Sequence, residues 1–176
     1  YGNLVLSIGS LEPRKNHLSL LKAFTALVAE GTWPLNLDLV IVGWPNDITV
    51  VNYVEKTLQL GLPLRWEKNA DDILLNKFYS QTLFTIFPSI EEGFGLPIAE
   101  SIWHNRICIC NNKGAIYEIA RKGGCLTLNT NDWRDLKNGI KLLITKPSLR
   151  NKLNQEIRNR FFRSWKDVAR EWLDLM

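Results

Sequence analysis

The sequence predicts an α/β fold: a doubly wound, mostly parallel sheet of about six strands, with helices on both faces and extra helices at the C-terminal end. Two observations predict it. Short β-rich runs alternate with runs whose apolar residues recur at helical spacing. Glycine or proline closes five of these runs, at Gly9, Gly31, Gly43, Gly61 and Pro88. Alternation of this kind implies right-handed βαβ crossovers, which wind helices over both faces of one sheet.

Taken in order, Leu4–Ile8 is a β-rich run ended by Gly9. Leu18, Leu21, Phe24 and Val28 then keep helical spacing up to Gly31. Leu37–Val42 is a second strand, closed by Gly43, and Val51, Val54, Leu58 and Leu60 mark a helix ending at Gly61. Leu64–Trp66 is a weaker third strand. Leu74, Leu75, Phe78 and Tyr79 suit a further helix, and Leu83–Phe87 is a strand stopped by Pro88. A helix starts near Pro97, a strand runs from Ile107 to Cys110, and Cys125–Leu128 is the last strand. Three helices close the chain. Trp133, Leu136, Ile140 and Leu143 share one face, Pro147 starts the next helix, and Ser164–Asp167 reads as a capping box for the last. There is no internal repeat, low-complexity stretch or linker.

Composition narrows the class. At 176 residues the chain fits one domain by the usual span of roughly 100–200 residues. It is 45% hydrophobic and 23% charged, ordinary globular values that allow a real core. No apolar run approaches the roughly 18 residues of a membrane-spanning helix, and no signal-peptide pattern opens the chain. Cys108, Cys110 and Cys125 show neither zinc spacing nor a CxxC pair, so a reducing, cytoplasmic compartment is expected. Cys108 and Cys110 fall on one face of a buried strand and read as core. The only methionine is Met176, so Tyr1 is expected to follow a cut into a longer protein.

The net charge of +4 is concentrated at one end. From Lys141 to Met176 nine Lys and Arg stand against four Asp and Glu, and the rest is close to neutral. A nucleic-acid interface would need a stronger and more continuous patch, so no nucleic-acid partner is expected. The basic tail reads as a solvated helical face or as a contact with an anionic membrane surface.

In a doubly wound sheet, ligands bind beyond the carboxyl ends of the strands, so chemistry is sought in the loops that follow them. The first such loop is Gly9–Asn16. Arg14 and Lys15 are adjacent cations at a helix N-terminus, where the helix dipole disfavours them. Either they are solvated, or a bound anion reconciles them; the Arg fork and the Lys point charge suit a diphosphate. His17 beside them reads as a surface or capping residue, with a phosphate contact as the other reading. The second loop is Pro88–Glu100. Gly93 and Gly95 let the backbone approach a ligand, and Pro97 suits a first helical turn whose free N–H groups attract anions or hydroxyls. Glu92 and Glu100 could both point to the sheet's open end, where carboxylates accept hydrogen bonds from vicinal hydroxyls. That suits a sugar, a ribose or both. The plain alternative makes Glu100 a helix N-terminal acid and Glu92 a surface loop residue. Trp44 lies on a loop and is read either as lining the cleft or as partly buried. Asn105 suits the left-handed end of a helix and His104 its negative end, so both are read as structural. Neither GxGxxG nor GxxxxGK[ST] is present.

Together these loops resemble a known family. The order is a strand, then Gly9-Ser10-Leu11-Glu12-Pro13-Arg14-Lys15-Asn16 and a helix, then a strand ending Val42-Gly43, then Phe87-Pro88-Ser89 through Glu92-Gly93-Phe94-Gly95-Leu96-Pro97 to Glu100. This is similar to the C-terminal domain of retaining family 4 glycosyltransferases, which have the two-domain GT-B fold. Glu92 and Glu100 match the family's Ex7E signature, and the likeness runs from Leu4 to about Trp172. The resemblance implies that residues 1–176 form a single Rossmann-like, nucleotide-sugar-binding domain, the donor-side half of a GT-B enzyme. The final helix, 161–176, would pack against a missing N-terminal domain.

The resemblance also implies roles. Glu92, Lys15 and Arg14 would be catalytic, with Arg14 and Lys15 on the diphosphate leaving group and Glu92 on a sugar hydroxyl. Glu100 would bind the ribose, while Gly93, Phe94, Gly95 and Leu96 would contact sugar and phosphate through the backbone. Gly9 and Ser10 would line the phosphate loop. The donor would be a nucleotide diphosphate sugar, with neither prosthetic group nor metal. A glycan or lipid-linked acceptor would bind through the missing domain. The enzyme would work in the cytoplasm or at the inner face of the cytoplasmic membrane, on bacterial surface polysaccharide, transferring a hexose or deoxyhexose.

Some positions depart from the family. Lys68 stands where many relatives have Gly, which leaves the base open. Asn105 and Ile107 replace a frequent Gly and Pro, Tyr117 replaces a common Pro, and Ser10 stands near the place of an Arg. Other classes fit less well. An oxidoreductase module would need a glycine fingerprint after Ile8, and a glycosidase using Glu92 and Glu100 would not need the Arg-Lys loop. A non-catalytic sugar-nucleotide binder would share all these features.

Overall fold

The computed structural model describes residues 2–160 and 165–174. Its elements in chain order are β1 (Leu4–Ile8), a 3-10 helix (Pro13–Lys15), α1 (His17–Ala29), β2 (Asp38–Val42), α2 (Ile48–Leu58), β3 (Leu64–Glu67) and α3 (Asp72–Gln81). There follow β4 (Thr82–Phe87), α4 (Leu96–Trp103), β5 (Cys108–Asn111), α5 (Gly114–Ala120), β6 (Cys125–Leu128), α6 (Trp133–Thr145), α7 (Pro147–Arg158) and α8 (Trp165–Leu173). Among the described residues the strands form one six-stranded sheet in the order β3-β2-β1-β4-β5-β6. Every pairing is parallel.

Strand alternation decides the layers. On β1, Leu4 and Leu6 pack with Val40, Val42, Phe78 and Tyr79 under α3. Val5, Leu39 and Ile41 instead join the larger core with Leu20, Phe24, Val50 and Val54 from α1 and α2. Successive side chains of a strand point to opposite faces, so five-residue strands supply both layers. Helix starts are fixed by caps. Asp47 accepts from the amides of Thr49 and Val50, Asp71 from Leu74, and Asp132 from Arg134. Pro97 and Pro147 occupy the first turns of α4 and α7, where a missing N–H does no harm.

The elements read from sequence are present, with ends moved by a residue or so. Two pieces differ. Residues 114–120, for which the sequence pattern predicts no helix, form the short helix α5, which buries only Ile116 and Ala120. Arg14 and Lys15 lie in a 3-10 turn rather than in the first turn of α1, because Asn16 takes a left-handed conformation (φ 57°) between the two helices. The capping box at Ser164 falls outside the described residues, although α8 begins where it was expected.

The strand order reverses between β1 and β4, so the loops leaving these neighbours open onto one crevice. The loop after β2 is drawn to the same place. Leu11 donates its amide to Trp44 O at 2.8 Å, and Asp47 donates to Leu11 O at 2.8 Å. Gly43 is required there, since a Cβ on it would stand 1.8 Å from the carbonyl oxygen of Gly9.

Candidate functional site

The loops after β1 and β4 are tied together through the backbone. Ile90 donates its amide to Arg14 O at 2.9 Å, and Ser89 Oγ lies 3.2 Å from the same oxygen. The buried Asn16 amide donates to Thr130 O at 2.8 Å and to Pro88 O at 3.3 Å. Asn111, at the end of β5, donates to Ser89 O and Ile90 O at 3.3 and 3.2 Å. Two asparagine side chains thus satisfy loop carbonyls that the sheet does not reach. The loops are held rigidly enough to present side chains at fixed positions.

Arg14, Lys15 and Glu92 meet at the centre of this crevice. Lys15 Nζ lies 2.5 Å from Glu92 Oε1, and Arg14 Nη1 lies 2.8 Å from Glu92 Oε2. Ser89 Oγ donates to Glu92 Oε1 at 2.7 Å. The Lys15 and Glu92 side chains are 14% and 13% exposed, whereas Arg14 is 46% exposed and reaches solvent. Burial pushes the Glu92 carboxyl pKa up. Hydrogen bonds from Lys15, Ser89 and Arg14 outweigh burial, and the carboxyl titrates below its ordinary value. The hydrogen bond to Glu92 in turn raises the pKa of Arg14. Arg14 also donates to Glu91 O at 2.9 Å and to Glu12 Oε1 at 2.8 Å. Glu12 accepts from Asn46 at 2.9 Å, and its own amide donates to Ser10 O at 2.9 Å.

Glu100 sits apart from these cations, in the second turn of α4. Its Oε2 accepts a hydrogen bond from the Tyr79 hydroxyl at 3.1 Å. Tyr79 is 1% exposed, and burial raises its pKa. Its ring stacks on His104 with centroids 4.3 Å apart, and its carbonyl accepts from Arg106 Nε at 2.8 Å. Gly95, with φ 88°, caps the N-terminus of α4; Phe94 and Leu96 beside it are exposed. Gly93 has open space around its Cα. A cavity of about 280 Å³ lies between Ile90, Glu91 and Glu92 on one side and Lys113, Gly114 and Ala115 on the other.

Of the residues singled out by sequence, Gly9, Ser10, Arg14, Lys15, Glu92, Gly93, Phe94, Gly95, Leu96 and Glu100 all lie on the loops at the strand-order reversal or on the helix that follows. Side-chain ion pairs join Arg14 and Lys15 to Glu92. His17 corrects its expectation: it is 1% exposed, and burial lowers its pKa to about 4. A neutral, buried imidazole is neither a surface residue nor a cation for phosphate. Trp44 is 64% exposed on the loop after β2. Asn105 has φ 56° at the end of α4, and Cys108 and Cys110 are core, as read. Sequence reasoning missed Ser89, Asn46, Tyr79 and Asn111. Their signal was weak, because each is a polar residue whose partner lies 3 to 34 positions away. No group of three or more His, Cys, Asp or Glu among the described residues could hold a metal ion.

A parallel sheet in this order, with paired cations and carboxylates at its reversal point, defines a doubly wound domain, a class in which ligands bind beyond the strand ends. The model of the family "Glycosyl transferases group 1" matches residues 2–160, and the chain belongs to that family. Among curated relatives, the serotype-specific mannosyltransferase WbdA of Escherichia coli is 34% identical over 120 residues, 66% of this chain and 14% of that protein. The O-antigen chain mannosyltransferase B of Escherichia coli is 33% identical over 129 residues, 72% of this chain and 33% of its own length. The O-antigen chain mannosyltransferase RfbU of Salmonella typhimurium is 24% identical over 172 residues, 97% of this chain and 47% of its own length. The chain thus spans less than half the length of these relatives. A solved α,α-trehalose-phosphate synthase (UDP-forming) from Burkholderia vietnamiensis shares the fold with a TM-score of 0.75 at 15% identity. That likeness covers 99% of this chain and 46% of the synthase. The architecture is that of the C-terminal domain of a GT-B glycosyltransferase.

Proposed function

We propose that this chain is the donor-binding domain of a retaining mannosyltransferase that builds bacterial surface polysaccharide from GDP-mannose. The observation that carries this reading is the Arg14–Glu92–Lys15 cluster at the reversal point of the sheet. The named mannosyltransferases among the relatives favour mannose, and a more distant relative, from Xenopus tropicalis, is a GDP-Man:Man(3)GlcNAc(2)-PP-Dol α-1,2-mannosyltransferase.

Arg14 and Lys15 hold the diphosphate. The bond from the sugar C1 to the diphosphate oxygen breaks, its electron pair stays on that oxygen, and the fixed cations stabilise the developing charge. The acceptor oxygen bonds C1 on the same face, and its proton passes to the departing diphosphate oxygen and from there to solvent. Glu92 holds a hydroxyl of the sugar, and Glu100, oriented by Tyr79, accepts the ribose hydroxyls. Amides of Phe94, Gly95 and Leu96 face sugar and phosphate at the N-terminus of α4. No metal takes part. A glycan or lipid-linked acceptor binds to a further domain, against which the final helix packs. The reaction runs in the cytoplasm, with the basic tail near the inner membrane face.

The test is transfer from GDP-mannose by the protein carrying this domain, with Lys15→Ala, Glu92→Gln and Glu100→Gln. Each is expected to reduce kcat/KM by about tenfold or more. Full activity in all three would end the reading.

A further inference from the structure

Glu92 is in an unusual position for a residue that only holds a sugar hydroxyl. Both of its oxygens are engaged, Oε1 by Lys15 and Ser89 and Oε2 by Arg14. The pair is not a loose surface contact, since Lys15 and Glu92 are both mostly buried and Ser89 is fully so. Charge balance makes the position more pointed. Glu12, Arg14, Lys15 and Glu92 together carry no net charge, and each cation already has a carboxylate on it. A diphosphate reaching Arg14 and Lys15 therefore meets a neutral cluster rather than two unopposed cations.

We infer that the Glu92 carboxylate competes with the diphosphate for Arg14 and Lys15, and so limits how tightly the site holds nucleotide. This rests on the proposed function, in which those two cations receive the diphosphate. When the diphosphate arrives, Lys15 and Arg14 exchange one carboxylate for phosphate oxygens, and Glu92 is released toward the sugar. After transfer the terminal phosphate has a second pKa near 6, so the departing nucleoside diphosphate carries about one more negative charge than the donor did. Left unopposed, the two cations would bind this product more tightly than the substrate. The carboxylate returns to them as the product leaves.

Glu92→Gln tests this, because the amide keeps the shape and an acceptor oxygen but removes the charge. Binding of inorganic pyrophosphate and of GDP to the chain is measured by isothermal titration. Glu92→Gln is expected to bind both on the order of tenfold more tightly than the native chain, with the gain shrinking at high salt. Glu100→Gln is the control. Its carboxylate is engaged by Tyr79 rather than by a cation, so pyrophosphate affinity should stay within about twofold. If circular dichroism shows that Glu92→Gln does not fold, Glu92→Asp takes its place. Its carboxylate is one methylene short of spanning both cations, and pyrophosphate affinity should rise on the order of threefold. Unchanged or weaker binding by the Glu92 variants, or equal tightening in Glu100→Gln, overturns the inference and leaves the proposed function standing. Failure of the native chain and its variants to bind either ligand overturns both.

Discussion

Tyr79 fixes a neighbouring carboxylate through a single buried hydroxyl. Its O–H donates to Glu100 Oε2, and its ring is wedged against His104, so one carboxylate oxygen is fixed and the other is left as an acceptor. Tyr79→Phe removes only the hydroxyl. The expected result is a loss of about 1–2 kcal/mol in stability, read from denaturant unfolding, and a rise of a few-fold in donor KM with kcat little changed. His17 makes a second prediction at this scale. Its ordinary pKa of 6.5 falls to about 4 in the fold, chiefly through burial, with the nearby Lys15 charge adding to it. The folded pKa lies below the unfolded one, so between these values the unfolded chain binds more protons. Stability contributed by the neutral imidazole is complete above about pH 6.5, declines as pH falls, and levels off below about pH 4. The loss is on the order of 3 kcal/mol. Thermal unfolding across pH 4–7 should show this slope in the native chain and a flatter one in His17→Gln.

At the scale of elements, Gly43 is the joint where the β1 and β2 loops cross. A Cβ there would lie 1.8 Å from Gly9 O and 2.6 Å from Gly9 C, both backbone atoms that cannot rotate aside. Gly43→Ala is expected to cost about 3 kcal/mol or more and to weaken pyrophosphate binding, because the Arg-Lys loop must move with Gly9. Chemical denaturation and titration of the same variant check both halves.

Elements with long periodic or continuous apolar patterns were legible in the sequence. α1, with buried Leu20, Leu21, Phe24 and Leu27, and β2, with Leu39 to Val42, are examples. α5 was not legible, because seven residues give too few repeats to show a face. Nor was the 3-10 turn, which depends on Asn16 holding a left-handed conformation through bonds to Pro88 and Thr130. The site was legible as loops and residue types, since Arg14, Lys15, Glu92 and Glu100 stand out in the chain. Their pairing was not. That Glu92 faces the cations and Glu100 faces Tyr79 follows from which strands are neighbours, a property of topology rather than of local sequence.

At the scale of the whole molecule, the order β3-β2-β1-β4-β5-β6 explains why two motifs 77 positions apart, at Lys15 and Glu92, form one site. β1 and β4 are adjacent although two βα units separate them in the chain, and the loops that leave them cannot avoid each other. The proposed function requires this meeting point to bind the diphosphate of a sugar nucleotide through Arg14 and Lys15. Its most direct test is isothermal titration of GDP-mannose into the native chain and into Lys15→Ala. A single site in the native chain, weakened about tenfold or more in the variant, is the expected result. Binding of equal strength in both proteins would contradict it.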